Sequence, residues 1–194
     1  MFDRFCSLTK RLFNIPFALI NLIDVDRAFV KSNFGLPGLK EAPRDQVFCA
    51  YTVLSDSPEV FVIEDTLLDP RFANFGVVTG PPHVRFYAGA ALVINHVRVG
   101  TLCTMDVVPR QFSSVQRMNL LDLGVAVAGL IKERYEAAQN KTKETAKLMV
   151  QMFHNIRAPV AAINQAADVL LSQAALDRAF DRCPCAPPGN ASFG

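Results

Sequence analysis

The sequence predicts an α+β fold, an antiparallel sheet flanked by helices and followed by a long C-terminal helix. Three observations predict it. Two stretches, 17–34 and 86–106, each consist of a pair of β-favouring runs interrupted by a short polar break, as antiparallel hairpins do. The first residues place apolar side chains at helical spacing. From Ser113 onward the apolar period is helical and sustained over more than fifty residues.

The elements follow in order. In DRFCSLTKRLF, Phe5, Leu8, Leu12 and Phe13 have helical spacing, and Pro16 closes the segment. FALINLIDVDRAFVKSNFG reads as a hairpin with its break at Asp24 to Arg27, ended by Gly35, Pro37 and Gly38. VFCAYTVLSD carries Phe48, Tyr51, Thr52 and Ser55 at helix-like spacing before a Ser-Asp-Ser-Pro turn, and is read as a short helix. VFVIED at 60–65 is a compact strand. In DPRFANF, Asp69 is placed as a helix cap with Pro70 at the first helical position, where its missing N–H costs nothing, so a helix is expected in a short surface excursion. FYAGAALVI and VRVGTLCTMD, separated by Asn95 and His96, predict a tight hairpin at the centre of the sheet. Gly89, Ala90 and Gly100 mark positions for a bulge or for the close approach of another backbone or a ligand.

Composition excludes several classes of function. The 20 Lys and Arg against 18 Asp and Glu are nearly balanced and scattered, so neither nucleic acid nor an anionic membrane is indicated as a partner. No run approaches the roughly 18 apolar residues of a membrane span. The N-terminus mixes charge into its apolar residues, unlike a signal peptide, and a cytoplasmic location is expected. Five cysteines, at 6, 49, 103, 183 and 185, lack paired C-x2-C spacings, and no metal site is indicated. The first three lie in apolar stretches and read as buried free thiols. Cys49 and Cys103 would make a redox pair if the fold brought them together, although neither has an adjacent Lys, Arg or His to lower its pKa.

The long helical segment changes character along its length. Its middle, KERYEAAQNKTKETAK, is too polar to bury a wide face and reads as a connector projecting from the domain and paired in a dimer. Further on, with Ile156 as origin, Met149, Met152, Val160, Ile163, Ala167 and Leu170 fall within roughly 40° of it and form an apolar stripe for a partner helix. His154 lies about 160° away on the polar face, with Lys147, Ala158, Ala161, Gln165 and Asp168. A histidine kept for packing would share the stripe. Pro159 removes an intrahelical N–H one turn past His154 and clashes with the carbonyl of Asn155, which predicts a bend there. The ending CPCAPPGNASFG has no packable pattern and is expected to be disordered.

The stretches FDRFCSLTKRLFNIPFALINLID, RDQVFCAYTV, DPRFANFGVVTGPPHVRFYAGAAL and GTLCTMD together resemble a GAF domain, of the bacterial sort fused to histidine kinases and diguanylate cyclases. The resemblance implies an antiparallel sheet of five or six strands over residues 1–135. It also implies a pocket between the sheet face and the excursion, with Asp69, Arg71 and Phe72 on one side and Arg85, Phe86 and Tyr87 on the other. Forked guanidinium donors and aromatic faces suit a planar or anionic metabolite. The structural alternative is that Arg71 and Arg85 pair with Asp69, Asp65 or carbonyls while Phe72 and Phe86 fill the core. Bilin-binding members carry a Cys directly before a His, whereas His83 in PPHVRF has none beside it, and the residue set of the cyclic-nucleotide binders is missing. No cofactor is indicated, and the small-molecule ligand that the resemblance allows is left unnamed.

HNIRAPV, in turn, resembles the phosphoacceptor motif of sensor histidine kinases, keeping His154, Arg157, Pro159 and Val160. Asn155 stands where that family has Asp or Glu, and an amide cannot act as a base. The resulting expectation is a GAF sensory domain at 1–135, a helical connector at 136–147, the truncated first helix of a dimerisation and phosphoacceptor domain at 148–176, and a disordered tail at 177–194. The chain would be a homodimer taking phosphate on His154 from a separate ATP-binding kinase domain and passing it to a response-regulator receiver. Two alternatives stand beside it: a noncatalytic ligand-binding or dimerisation module with a vestigial histidine helix, and a thiol redox enzyme using Cys49 and Cys103.

Overall fold

The computed structural model describes residues 1–180. Its contacts divide the chain into a unit spanning Met1–Glu136 and a second one beginning at Ala137. The first unit opens with α1 (Phe2–Phe13), β1 (Phe17–Ile23), β2 (Arg27–Phe34), β3 (Glu41–Pro43) and α2 (Cys49–Thr52). It continues with β4 (Val60–Ile63), α3 (Gly76–Thr79), β5 (Phe86–Ile94), β6 (Val97–Asp106) and the beginning of α4 (Ser114–Phe180). The six strands form one antiparallel sheet in the order β3-β2-β1-β6-β5-β4. The fold is α+β, with the hairpin β5–β6 inside the sheet as expected. Asn95 and His96 join these strands at φ values of 49° and 64°, the left-handed pair that a two-residue hairpin requires.

Strand alternation sorts the core into two layers. On one face Ala18, Ile20, Phe86, Ala88, Ala90 and Leu102 meet α1 and the start of α4 through Cys6, Phe13, Leu120 and Val127. On the other, Leu19, Tyr87, Cys103 and Met105 are covered by Phe48 and Cys49 of the α2 region and by Phe72, Phe75 and Val78 of the excursion. Each such large apolar side chain contributes roughly 1.5–3 kcal/mol when fully buried.

Local chemistry fixes the helix ends. Asn14 ends α1 in the left-handed conformation at φ 51°, its N–H donating to the carbonyl of Lys10. The buried face of α1 is Phe2, Cys6, Thr9 and Phe13, whereas Leu8 and Leu12, expected on it, are exposed. Small Cys6 and Thr9 let the helix approach closely, and Thr9 Oγ1 satisfies itself on the Phe5 carbonyl at 2.8 Å. Ser113 caps α4: the Gln116 N–H donates to Ser113 Oγ at 3.3 Å and the Ser113 N–H to Gln116 Oε1 at 2.8 Å. Gly124 of α4 faces Ala90 so closely that an added Cβ would lie 3.1 Å from the alanine Cβ.

Two glycines in the hairpin are explained by close approach. A Cβ on Gly100 would sit 2.1 Å from the backbone oxygen of Asn21, and one on Gly89 would sit 2.2 Å from the Tyr87 hydroxyl. The β5–β6 register shifts between Leu92 and Val93, next to the pair Leu92–Gly100, so the anticipated bulge and backbone approach both lie at Gly100.

Three features differ from expectation. The segment beginning at Asp69 is a series of turns, and a helical turn starts only at Gly76. Asp69 does accept the Arg71 N–H, at 3.0 Å, but its carbonyl takes the N–H groups of both Phe72 and Ala73, and Phe72 and Phe75 both point into the core. That inward pull replaces a regular helix. The short strand β3 pairs through Ala28–Ala42 and has no sequence pattern of its own. Finally, α4 runs through Phe180, while the rest of the expected tail lies outside the described residues.

The second unit is helical from Ala137, and His154, Asn155, Arg157 and Pro159 all lie within α4. No helix among the described residues is long and apolar enough to cross a membrane.

Candidate functional site

The six residues expected around a pocket do not share one site. Arg71 is engaged by Asp69, donating from Nε to Oδ1 at 3.0 Å and from Nη2 to Oδ2 at 2.6 Å. Its guanidinium lies 4.8 Å from the centre of the Phe72 ring. Arg85 grips Asp65 the same way, at 2.9 and 2.6 Å. These forked bonds hold the Asp65 and Asp69 carboxyls below the ordinary carboxylate range. Both arginines are thereby committed to pinning the excursion, and the aromatics are core: Phe72, Phe86 and Tyr87 are fully buried. Phe86 is a correction to the expected pocket. As the strand neighbour of Tyr87 it points to the opposite face, against Phe112 with ring centres 5.6 Å apart. What remains of the expected site is an open surface cleft of ≈ 780 Å³ bordered by Asp65, Asp69, Arg71 and Arg110.

A second, smaller cavity of ≈ 310 Å³ lies deeper, between the sheet and its cover. Leu19, Asn21, Cys103 and Met105 form its sheet side together with Ala42 and Pro43 of the edge strand β3, and Phe48, Cys49 and Val77 contribute from the covering segments. The lining is mostly apolar, with a polar cluster at Asn21. Asn21 Nδ2 donates to Cys49 Sγ at 3.1 Å and lies 3.7 Å from Cys103 Sγ. The two sulfurs are 3.7 Å apart. Tyr87 Oη donates to Cys49 Sγ at 3.6 Å and shares a 2.8 Å hydrogen bond with Thr52 Oγ1. Asn21 Oδ1 is buried without a hydrogen-bond partner among the described residues, and Thr101, paired with Asn21 across β1 and β6, is buried beside the two sulfurs.

The fold thus joins Cys49 and Cys103, which the sequence separates by 54 positions. Hydrogen bonding with Cys103 draws the Cys49 thiol down against the opposing effect of burial, with Thr101, Tyr87 and Asn21 assisting. The same contact and burial push Cys103 up. Burial pushes the Tyr87 hydroxyl up, so it stays protonated and able to donate. Arg44, the cation nearest Cys49 in sequence, is tied instead to the carbonyl of Asp24 at 2.9 Å. Cys6, also a buried free thiol, lies apart and donates to Ser32 Oγ at 3.4 Å.

Asn21 and Thr52 are the site residues that sequence reasoning missed. The signal for Asn21 was an amide in the middle of the apolar run FALINLI. The edge of the lining supplied by Ala42 and Pro43 of β3 left no comparable trace.

In the second unit His154, Asn155 and Arg157 are exposed on α4, and Pro159 is inside the helix. Of the apolar stripe, Met149, Met152, Ile156, Val160, Ile163 and Ala167 are exposed as well, and the Leu170 side chain lies outside those described.

Comparison with known proteins places these features in context. A family model described as GAF domain matches residues 1–131. Cyclic di-GMP phosphodiesterase PA2567 of Pseudomonas aeruginosa is 37% identical over 111 residues, a match that takes in 57% of this chain and 18% of the length of that relative. The GAF domain of an Acinetobacter phosphoenolpyruvate-protein phosphotransferase superposes with a TM-score of 0.58 at 16% identity, covering 71% of this chain and 83% of that one. A domain of a protein described as a two-component sensor histidine kinase, from Sinorhizobium meliloti 1021, gives 0.55 at 15% identity, covering 72% and 94%. At these identities the two structures speak for the fold alone.

Proposed function

This chain belongs to the GAF domain family, and from that premise we propose that it is the sensory part of a two-component signalling protein, in which a small ligand held by the GAF domain controls a histidine phosphoacceptor helix. The observation that carries the sensory half is the ≈ 310 Å³ cavity, apolar but for the amide and thiols at Asn21, Cys49 and Cys103. Its ligand is accordingly a small, largely apolar molecule with one hydrogen-bonding group, since apolar walls provide affinity and a few polar atoms fix orientation. The planar or anionic ligand suggested by Arg71 and Arg85 is set aside because both guanidiniums are occupied by carboxylates.

The output half rests on His154. Its imidazole is exposed on α4, as an acceptor that must meet an ATP-binding kinase domain and then a response-regulator receiver has to be, and Pro159 follows it by five residues. The exposed stripe from Met149 to Ile163 is the face through which a second copy would pair. Ligand binding would act by favouring one of two connector arrangements, the differential affinity that allostery requires.

A second output is favoured by the 37% identity to PA2567 over 111 residues. A GAF domain of this sequence type attached to cyclic di-GMP turnover would use the same cavity and connector, with the histidine helix vestigial.

The two outputs separate in one experiment. The full chain is incubated with a separately purified histidine-kinase ATP domain and radiolabelled ATP, and acid-labile phosphate is measured. Label that disappears in His154→Ala supports the phosphorelay, whereas no label, or label insensitive to that substitution, refutes it. For the cavity, binding of indole, phenol and medium-chain carboxylic acids is followed by thermal shift. Val30, in β2, also lines the cavity, so the filling variant Val30→Phe should abolish any shift, and a shift that survives it would place the ligand elsewhere.

A further inference from the structure

Among the polar groups of the cavity, the two cysteines are arranged for chemistry that packing alone does not require. Cys49 comes from α2 and Cys103 from β6, and their sulfurs sit at 3.7 Å, in contact but unbonded. Both line the cavity, so a small molecule within it meets them although neither reaches the outer surface. Two donors, Asn21 Nδ2 at 3.1 Å and Tyr87 Oη at 3.6 Å, converge on Cys49 Sγ. Asn21 Nδ2 lies farther from Cys103 Sγ, at 3.7 Å. The sulfurs are therefore inequivalent: Cys49 has the environment of a thiolate, and Cys103 stands beside it as the second thiol. The depressed Cys49 and elevated Cys103 pKa values agree with that order.

We propose that Cys49 and Cys103 form an oxidisable dithiol that a small hydroperoxide, entering through the cavity, converts to an intramolecular disulfide. The Cys49 thiolate attacks one peroxide oxygen. The O–O bond breaks as the S–O bond forms, giving a sulfenic acid, and the other oxygen takes up the proton that Cys49 released on ionising and leaves as an alcohol, or as water when the oxidant is hydrogen peroxide. Cys103 Sγ then attacks Cys49 Sγ. The S–O bond breaks as the S–S bond forms, and the hydroxide takes the Cys103 proton and departs as water. Two electrons have passed from the sulfurs to the peroxide.

The geometry assigns a consequence. A disulfide brings sulfurs to about 2.05 Å, so closure from 3.7 Å draws α2 toward β6, and these two elements line opposite sides of the cavity. Cys49 also ceases to be an acceptor for Asn21 and Tyr87 as a thiolate. Oxidation therefore reshapes the ligand site; this last step rests on the sensory role proposed above, whereas formation of the disulfide does not.

The test uses the full chain. Protein is treated with hydrogen peroxide from equimolar to tenfold excess, quenched into denaturant with N-ethylmaleimide and digested with trypsin. Cleavage after Arg44, Arg71, Arg98 and Arg110 places Cys49 in peptide 45–71 and Cys103 in peptide 99–110, while Cys6 falls in a third peptide and Cys183 and Cys185 share a fourth. The expected result is a 45–71/99–110 linked species as the main product, abolished by prior dithiothreitol. In Cys103→Ser, dimedone should trap Cys49 as the sulfenic acid, and in Cys49→Ser, Cys103 should be recovered alkylated at the same dose. Recovery of both peptides fully alkylated at tenfold peroxide, or a linkage that forms only in urea-unfolded chain, would overturn the dithiol. Because the peptide map is made on the unsubstituted protein, it stands even if a serine variant misfolds. Indole binding, measured before and after oxidation, should fall at least fivefold. Unchanged binding with the linkage present would overturn the coupling, and no binding by the reduced chain would overturn the sensory role while leaving the disulfide in place.

Discussion

Tyr87→Phe probes the polar core beneath α2 with little disturbance elsewhere. The substitution keeps the ring, whose centre lies 5.1 Å from that of Phe48, and removes only the hydroxyl that bonds Thr52 at 2.8 Å. Both residues are fully buried, so water cannot replace the lost partner. Thr52 Oγ1 would retain only the Phe48 carbonyl at 3.5 Å, at the limit of a hydrogen bond. A net loss of about 1–2 kcal/mol is expected. Thr52→Val, which leaves the Tyr87 hydroxyl with the Cys49 sulfur alone, should cost about 1–3 kcal/mol. In the double variant neither hydroxyl is stranded. Its loss should fall short of the sum of the single variants by about 1–2 kcal/mol, the coupling free energy of the pair. The assay is urea unfolding of all four proteins at one pH. Coupling below about 0.3 kcal/mol, the usual scatter of additivity, would show that the hydroxyls are satisfied independently and would refute the picture of a closed polar cluster.

Gly100→Ala would put a methyl 2.1 Å from the backbone oxygen of Asn21, so thermal denaturation should reveal a loss of at least about 2 kcal/mol. Gly129→Ala, in α4 with nothing within 4 Å, should instead gain about 0.5–1 kcal/mol in the same assay. Asp65, held below its ordinary pKa by Arg85, contributes stability that is present above the unfolded value of about 3.9 and is lost as pH falls through the lower folded value. Asp65→Asn should thus be less stable at neutral pH and show a shallower decline below about pH 4, measured by chemical denaturation across pH. Asn155→Asp restores an acid beside His154 and should raise the rate of phosphotransfer to this chain by about tenfold or more, read as initial incorporation of label; an unchanged rate would mean that no base acts from that position.

The hairpins were legible in the sequence because β-favouring runs and their two- or three-residue breaks are local signals. β5 and β6 fall at Phe86–Ile94 and Val97–Asp106, on either side of the expected Asn95–His96 break. The start of α4 was equally plain, since the apolar period turns helical from Ser113 onward. The GAF resemblance resided in short stretches that span the first unit, and so it identified the family without specifying the site. β3 was invisible because three residues hold it by pairing with β2, with no period of their own. The turns after Asp69 were mistaken for a helix because the cap signal was real and the pull of Phe72 and Phe75 into the core was not encoded locally.

The sequence by itself determined the α+β class, the order of the main elements, the family, and the amphipathic register that sets His154 opposite the stripe through Ile156. All of these depend on neighbours along the chain, through hydrogen-bond caps, turn residues and periodicity. Only the tertiary structure decided which side chains meet, and where they enclose a cavity. It turned Phe86 away from Tyr87, engaged Arg71 and Arg85 with carboxylates, and brought Cys49 within 3.7 Å of Cys103 over a cavity floored by Asn21. The physical reason is that strand pairing and the packing of a cover on a sheet join residues far apart in sequence, and no local pattern records which ones will meet.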